Sequence, residues 1–396
     1  MKKMAFVLTI LVAAAMLLSA CGPAATTAPA TVAPVTVGAS TAVALPTAVP
    51  PTATTAPTAG PKISVGMVTD TGGIDDKSFN NLSWQGVQQA ISQLGVSGKY
   101  LESHQQSDYD KNIQQLINEK DDLIVTVGFL MGVNTATAAK ANPNQKFAII
   151  DYTYPDCATG AVEGKDCGSA TAMNNVRGLA FQTDQAAFLA GYLAAGMTKT
   201  GTVGTWGGIA IPTVTIFMKG YQAGVMYYNT KHSTTVKVLG WDDVSQKGTF
   251  INGFTSTDDG KNVTASMVQE GADVILPVAG GAGLGAAAYC ESATPKCMII
   301  GVDQDWFLSA PEYNDIELSS VQKRVDVAVY KTIQDVIAGK FTGGTVTYAL
   351  ADGGVALAPF HNFDSQVPAA LKAEITQAQA DIISGAVTVN GVLGEK

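Results

Sequence analysis

The sequence predicts an α/β protein with two doubly wound parallel-sheet lobes, joined by a hinge that the chain crosses more than once. Apolar, β-rich runs alternate with helix-period segments, and that alternation appears in two successive sets of four. A strand and helix then remain after the second set, which suggests a return to the first lobe.

The first set is "ISVGMV" (63–68), "GKYLES" (98–103), "LIVTV" (123–127) and "KFAIID" (146–151). Between these runs, Val87, Ala90, Ile91 and Leu94 share one helical face, as do Ile113, Leu116 and Ile117. The second set is "GTVGTW" (201–206), "TVKVLG" (235–240), "DVILPV" (273–278) and "CMIIGVD" (297–303). Val214, Phe217, Met218, Tyr221 and Val225 mark the helix between its first two strands. A small-residue helix within 174–196 joins the sets, and 316–339 supplies the surplus strand and helix. A β-rich piece from 345 and a polar helix near 368–384 close the chain. The resulting division is lobe 1 over 62–178, lobe 2 over 179–305, a return to lobe 1 over 306–345, and a C-terminal segment over 346–396.

The first sixty residues stand apart from this pattern. "MKKMAFVLTILVAAAMLLSAC" has a basic start and an apolar run too short for a comfortable span, ending in small residues before Cys21. It reads as a lipoprotein signal over 1–21, with Cys21 as the acylated residue; several acyl chains on one residue give a stable membrane anchor. Residues 22–61 are mostly Ala, Thr, Pro and Val, and the recurrent prolines exclude a helix or central strand. This segment reads as a semi-extended tether.

The formal net charge is −9 and there is no basic stripe, which argues against nucleic-acid binding. Beyond Cys21, the cysteines form two local pairs, Cys157 with Cys167 and Cys290 with Cys297, as expected of small disulfides outside the cytoplasm. His104, His232 and His361 are scattered, and neither a metal nor a cofactor is expected.

Three strand-like runs are followed by an aspartate, namely Asp70, Asp151 and Asp303. An isolated aspartate there is an ordinary helix cap. Three converging on the crevice beyond the carboxyl ends of parallel strands suit a neutral ligand rich in hydroxyl and amine donors. Phe79 and Phe217, near helix starts in opposite lobes, are core residues or, if both face the cleft, a sandwich for a planar ring.

Two motifs suggest enzymes. "GGIDD" resembles the calcium-binding start of nucleoside hydrolases, but Thr69 and Thr71 occupy the positions of that motif's leading aspartates. Asp70 lies one residue off and faces the other way in an extended strand. The glycine run "AGGAGLGAA" (279–287) fits a dinucleotide-binding spacing, but reads more simply as backbone brought close to a ligand at a helix start.

Taken together, "VTDTGGIDDKSFNNLSWQG", "NPNQKFAIIDYTY", "NNVRGLAFQTDQAAFLAGYLAAG", "GGIAIPTVTIFMKGYQAGV", "GADVILPVAGGAGLGAA", "IIGVDQDWF", "SSVQKRVDVAVY" and "GGVALAP" resemble the basic membrane protein family. Its members are purine nucleoside receptor-like lipoproteins that serve ABC importers as substrate-binding proteins. The resemblance runs from Lys62 to Pro359 and implies a type I periplasmic-binding-protein fold. It also implies a purine nucleoside ligand, an ABC permease partner, a monomeric state and no catalysis.

By that resemblance Phe79 and Phe217 stack on the base, while Asp70, Asn80 and Asp151 address its edge or nearby polar atoms. Asp303 holds ribose hydroxyls, Gly280 approaches through its backbone, and Lys323 reaches the ribose or a cleft carboxylate. Ser78 is a further contact, and Asp75 and Asp76 cap the following helix. Trp306 departs from the family pattern and is expected to narrow the cleft. A sugar receptor on the same scaffold is the alternative reading; a nucleoside hydrolase is the remote one.

Overall fold

The apolar runs of the first set become parallel strands because helices cover them on both faces, so that β3 is buried at every position. In chain order the elements are β1 (Ser64–Val68), α1 (Phe79–Leu94), β2 (Ser97–Leu101), α2 (Tyr109–Asn118), β3 (Leu123–Val127), α3 (Gly132–Ala141), β4 (Lys146–Ile150), β5 (Val176–Phe181) and α4 (Thr183–Met197). This computed structural model describes residues 63–154 and 173–395. The expected signal with Cys21, the tether, and the Cys157 and Cys167 pair lie outside the described residues.

The second set comprises β6 (Thr202–Gly207), α5 (Pro212–His232), β7 (Lys237–Leu239), a hairpin of β8 (Trp241–Asp242) and β9 (Lys247–Gly248), α6 (Thr257–Gln269), β10 (Val274–Val278), α7 (Gly283–Ser292), β11 (Met298–Asp303), α8 (Trp306–Ser309) and β12 (Glu317–Lys323). Then come α9 (Val325–Ile337), β13 (Gly344–Tyr348), β14 (Val355–Leu357), α10 (Ala369–Ser384) and α11 (Val389–Leu393). Two six-stranded sheets result, ordered β13-β5-β4-β3-β1-β2 and β14-β12-β11-β10-β6-β7. Among their pairings only β12 with β14 is antiparallel.

The lobe boundaries differ from those read in the sequence. β5 was not anticipated; it extends the first sheet, so the chain leaves lobe 1 after Phe181 rather than at 178. The surplus strand β12 pairs with β11 and stays in lobe 2, and only the helix after it returns, α9 packing along α1. β13 spans the expected boundary at 345 and pairs with β5 in the first sheet. β14 lies beside β12 in the second sheet, and α10 packs on α4. The chain therefore passes between the sheets after β5, after β12 and after β13.

Cys290 and Cys297 form a disulfide between α7 and the start of β11, at the opposite end of that strand from Asp303. Among the described residues, no helix is long and apolar enough to cross a membrane.

The second lobe is anchored by α4 lying directly on α5. A Cβ at Gly224 would sit 1.9 Å from the Phe188 carbonyl oxygen, and one at Gly191 would sit 2.0 Å from that of Tyr221. Backbone thus meets backbone, with no flexible side chain able to yield. Gly224→Val should cost at least about 3 kcal/mol, the upper end for overpacking. Urea unfolding measures this, and an unchanged midpoint would show that the helices can separate at little cost.

Candidate functional site

Parallel strands send all their carboxyl ends to one edge, and the two sheets present those edges to each other. The shared cleft is lined from lobe 1 by Asp70 after β1, Gly128 after β3 and Asp151 after β4. From lobe 2 come Gly280 after β10, Asp303 at the end of β11 and Lys323 at the end of β12. It encloses about 600 Å³ of space, part of it open to solvent. The lobes repeat one another here: β3 and β10 each end in a positive-φ glycine nearby, Gly128 (φ 112°) and Gly280 (φ 51°). Asp151 (φ 65°) and Asp303 (φ 67°) are both left-handed, a conformation aspartate tolerates better than most residues. That backbone turns each carboxylate out of its sheet into the cleft.

The opening loop is held from within. Asp70 Oδ1 accepts from Gly72 N–H (2.8 Å) and Asn80 Nδ2 (2.8 Å), while Asn80 Oδ1 accepts from Asp70 N–H (3.2 Å). Asp76 caps α1: Oδ1 accepts from the backbone N–H groups of Ser78 (2.9 Å) and Asn81 (3.0 Å), and Oδ2 from that of Asn80 (2.8 Å). Asp75, expected to share this task, is exposed instead. A Cβ at Gly128 would lie 3.1 Å from Asp70 Oδ2, so a side chain there would press on the carboxylate.

Lys323 is the cation of the site. It is 2% exposed and its Nζ donates to Asp151 Oδ2, an ion pair between the two lobes. The same ammonium lies 4.8 Å from the Phe79 ring centre, 5.3 Å from Phe181 and 5.7 Å from Phe217. Ser78 Oγ donates to Asp303 Oδ2 (2.5 Å), again across the lobes. At the cleft mouth, Gln304 Nε2 donates to the Ser78 carbonyl (3.0 Å), and Lys77 pairs with Glu312 (2.8 Å). The lobes are thus closed on each other.

Burial pushes every cleft carboxyl upward. Asp70 is raised by burial and also by Asp303, against the hydrogen bonds from Asn80 and Gly72. Asp151 and Asp303 are raised by burial against the pull of Lys323. For Asp76, burial outweighs its amide donors and lifts it to about 7.

Of the residues singled out in the sequence, Asp70, Phe79, Asn80, Asp151, Phe217, Gly280, Asp303 and Lys323 all line this cleft. Ser78 stands behind it, holding Asp303. Trp306 does not narrow the cleft: it is buried beneath Gly301 and Gly283 in lobe 2, with Nε1 donating to the Val302 carbonyl (3.1 Å). Phe254, Phe129, Leu130, Ile211 and Thr213 also line the cleft, and the sequence does not point to them. Phe254, Phe129, Leu130 and Ile211 lie in no strand or α-helix, so no periodicity marks them, and Thr213 sits in the first turn of α5, off its apolar face.

Two α/β lobes closed over a polar and aromatic cleft define a type I periplasmic solute-binding fold. The family described as ABC transporter substrate-binding protein, PnrA-like, matches residues 63–391. The chain belongs to that family. It is 31% identical over 344 residues to the ABC transporter nucleoside-binding protein BmpA of Lactococcus lactis, covering 83% of this chain and 89% of that one. It is 33% identical over 308 residues to an uncharacterized lipoprotein of Pyrococcus furiosus, covering 75% of this chain and 70% of that one. Among solved structures, a solute-binding protein of an ABC transporter system from Aeropyrum pernix matches with a TM-score of 0.71 and 27% identity, over 82% of this chain and 92% of that one.

Raised carboxyl values set a sign for pH dependence. Unfolded Asp76 releases its proton near 3.8, whereas folded Asp76 keeps it until about 7, so between these values the native state binds more protons. Stability therefore falls as pH rises through that window. The advantage of the wild-type protein over Asp76→Asn should shrink between about pH 4 and about pH 7 in urea unfolding. An advantage that grows instead would mean that the helix terminus favours the charged carboxylate over burial.

Proposed function

We propose that the protein binds a purine nucleoside between its lobes and hands it unchanged to an ABC permease. The observation that carries this reading is the pairing of Phe79 and Phe217, from opposite lobes, in one cleft with Asp70, Asp151, Asp303 and Lys323. Flat apolar faces suit a base, and the carboxylates suit ribose hydroxyls and ring N–H donors. In this reading the base lies between the two rings, with Asp70 and Asn80 near its edge. Asp303 and Lys323 hold the ribose diol, and Gly280 lets the backbone come close. The name of the Lactococcus lactis relative, a nucleoside-binding protein, supports the same class.

Release without chemistry fits the state of the opening loop. Asp76 accepts from the backbone amides of Ser78, Asn80 and Asn81 and Asp70 Oδ1 from Gly72 and Asn80, so both carboxylates hold the loop in shape at the start of α1. The reading also includes anchoring through a lipid on Cys21 and an extracytoplasmic location, supported by the lipoprotein description of the Pyrococcus furiosus relative.

Calorimetric titration of unfolded and refolded protein with adenosine, guanosine, inosine, cytidine, ribose and glucose tests this. Tight one-to-one purine binding is expected, with no free base released over hours. Binding of glucose or ribose alone would make it a sugar receptor, and steady base release would make it a hydrolase. Phe79→Ala should weaken nucleoside binding by about 1–3 kcal/mol, the range for one stacked base, roughly 5- to 150-fold in Kd. An unchanged Kd would place the base elsewhere.

A further inference from the structure

A second chamber adjoins the cleft, and the groups between them are shared. Phe129, Asp151, Thr213 and Lys323 line both spaces. Beyond them the walls are Tyr152, Ala180, Phe181, Pro212 and Ile216, with Thr153 and Thr183 as the further polar residues, around about 690 Å³ that is partly open to solvent. Lys323 stands at the junction: its ammonium faces Phe79 and Phe217 of the cleft and Phe181 of the second chamber. Phe129 and Tyr152 meet at 5.2 Å between ring centres and continue the aromatic wall from one space into the other.

We propose that this chamber is a subsite for an apolar substituent on the ligand, so that nucleosides bearing an alkyl or alkylthio group at C5′ are accepted. The inference rests on the nucleoside reading above, in which Asp303 and Lys323 hold the ribose diol. The diol then lies at the Lys323 end, and C5′ is the ribose carbon left to point past it. A 5′ hydroxyl directed there meets mostly carbon walls. A thioether or short alkyl group forgoes any hydrogen bond to Asp151, Lys323 or the chamber's threonines but buries apolar surface against Phe181, Ile216 and Pro212. Each methylene buried there is worth about fourfold in affinity. An anionic 5′ group gains little, since the buried Asp151 and Asp303 carboxyls offset the single ammonium.

Calorimetry on the full chain in detergent tests this with adenosine, 5′-deoxy-5′-methylthioadenosine and its 5′-isobutylthio homologue, with N6-benzyladenosine probing the other end of the ligand. The expected result is that the isobutylthio compound binds at least about fourfold tighter than adenosine. Ala180→Phe, which fills the chamber without touching the cleft, should weaken the isobutylthio compound at least about tenfold while moving adenosine less than about threefold. Ile216→Trp serves the same purpose if Ala180→Phe does not fold. An isobutylthio compound no tighter than adenosine, or equal losses for both ligands in the variants, overturns the subsite. A gain for the N6-benzyl compound that the variants abolish would also overturn it, because the chamber would then face the base. Failure of adenosine itself to bind removes the nucleoside reading, and the subsite with it.

Discussion

The ion pair between Lys323 and Asp151 is the constraint around which the site is organised. Lys323 ends a strand of one sheet and Asp151 follows a strand of the other, so their contact exists only when the lobes are closed. Both groups are buried, and an isolated charge in that position would be strongly unfavourable. The cleft holds three carboxyls that burial raises, Asp70, Asp151 and Asp303, and the Lys323 ammonium acts on the last two. Such a cluster is under-supplied with donors. The remaining demand is met by Ser78 and Asn80 within the protein, and a ligand bearing hydroxyl and N–H groups would meet more of it.

The architecture explains why that cluster forms where it does. Parallel sheets collect their strand ends on one edge, and repeating the lobe brings two such edges together. Asp151 and Asp303 take the same left-handed backbone in the two lobes, and Gly128 and Gly280 both carry positive φ at the preceding strand ends. The chain then crosses between lobes three times. Lys323 sits immediately before one crossing, at Arg324, where α9 departs to pack along α1. A residue that bonds across the lobes is thereby located next to a crossing.

Much of this was legible in the residues. Apolar runs ending in aspartate marked both the strands and the cleft, because strand burial on two faces writes itself as uninterrupted Val, Ile and Leu. β5 was overlooked because "VRGLAF" carries Arg177, whose guanidinium is satisfied by Asp335 and stacks over Phe341, partners far away in the sequence. The strand of 316–339 was assigned to the wrong lobe because pairing order is a tertiary property: β12 reads like any buried strand, and only its bonds to β11 place it. Trp306 was misjudged for a related reason. Its position beside Asp303 suggested the cleft, but the turn after Asp303 sends the indole into the core of lobe 2. Phe254 and Phe129 lie in connecting segments, where composition carries no address.

The most direct test of the account is a crystal structure of the protein grown with adenosine. It predicts the purine between the rings of Phe79 and Phe217, ribose hydroxyls within hydrogen-bond distance of Asp303 and Lys323, and the lobes closed. Density for the nucleoside outside the cleft, or within it but away from both rings with Lys323 still held by Asp151 alone, would contradict it.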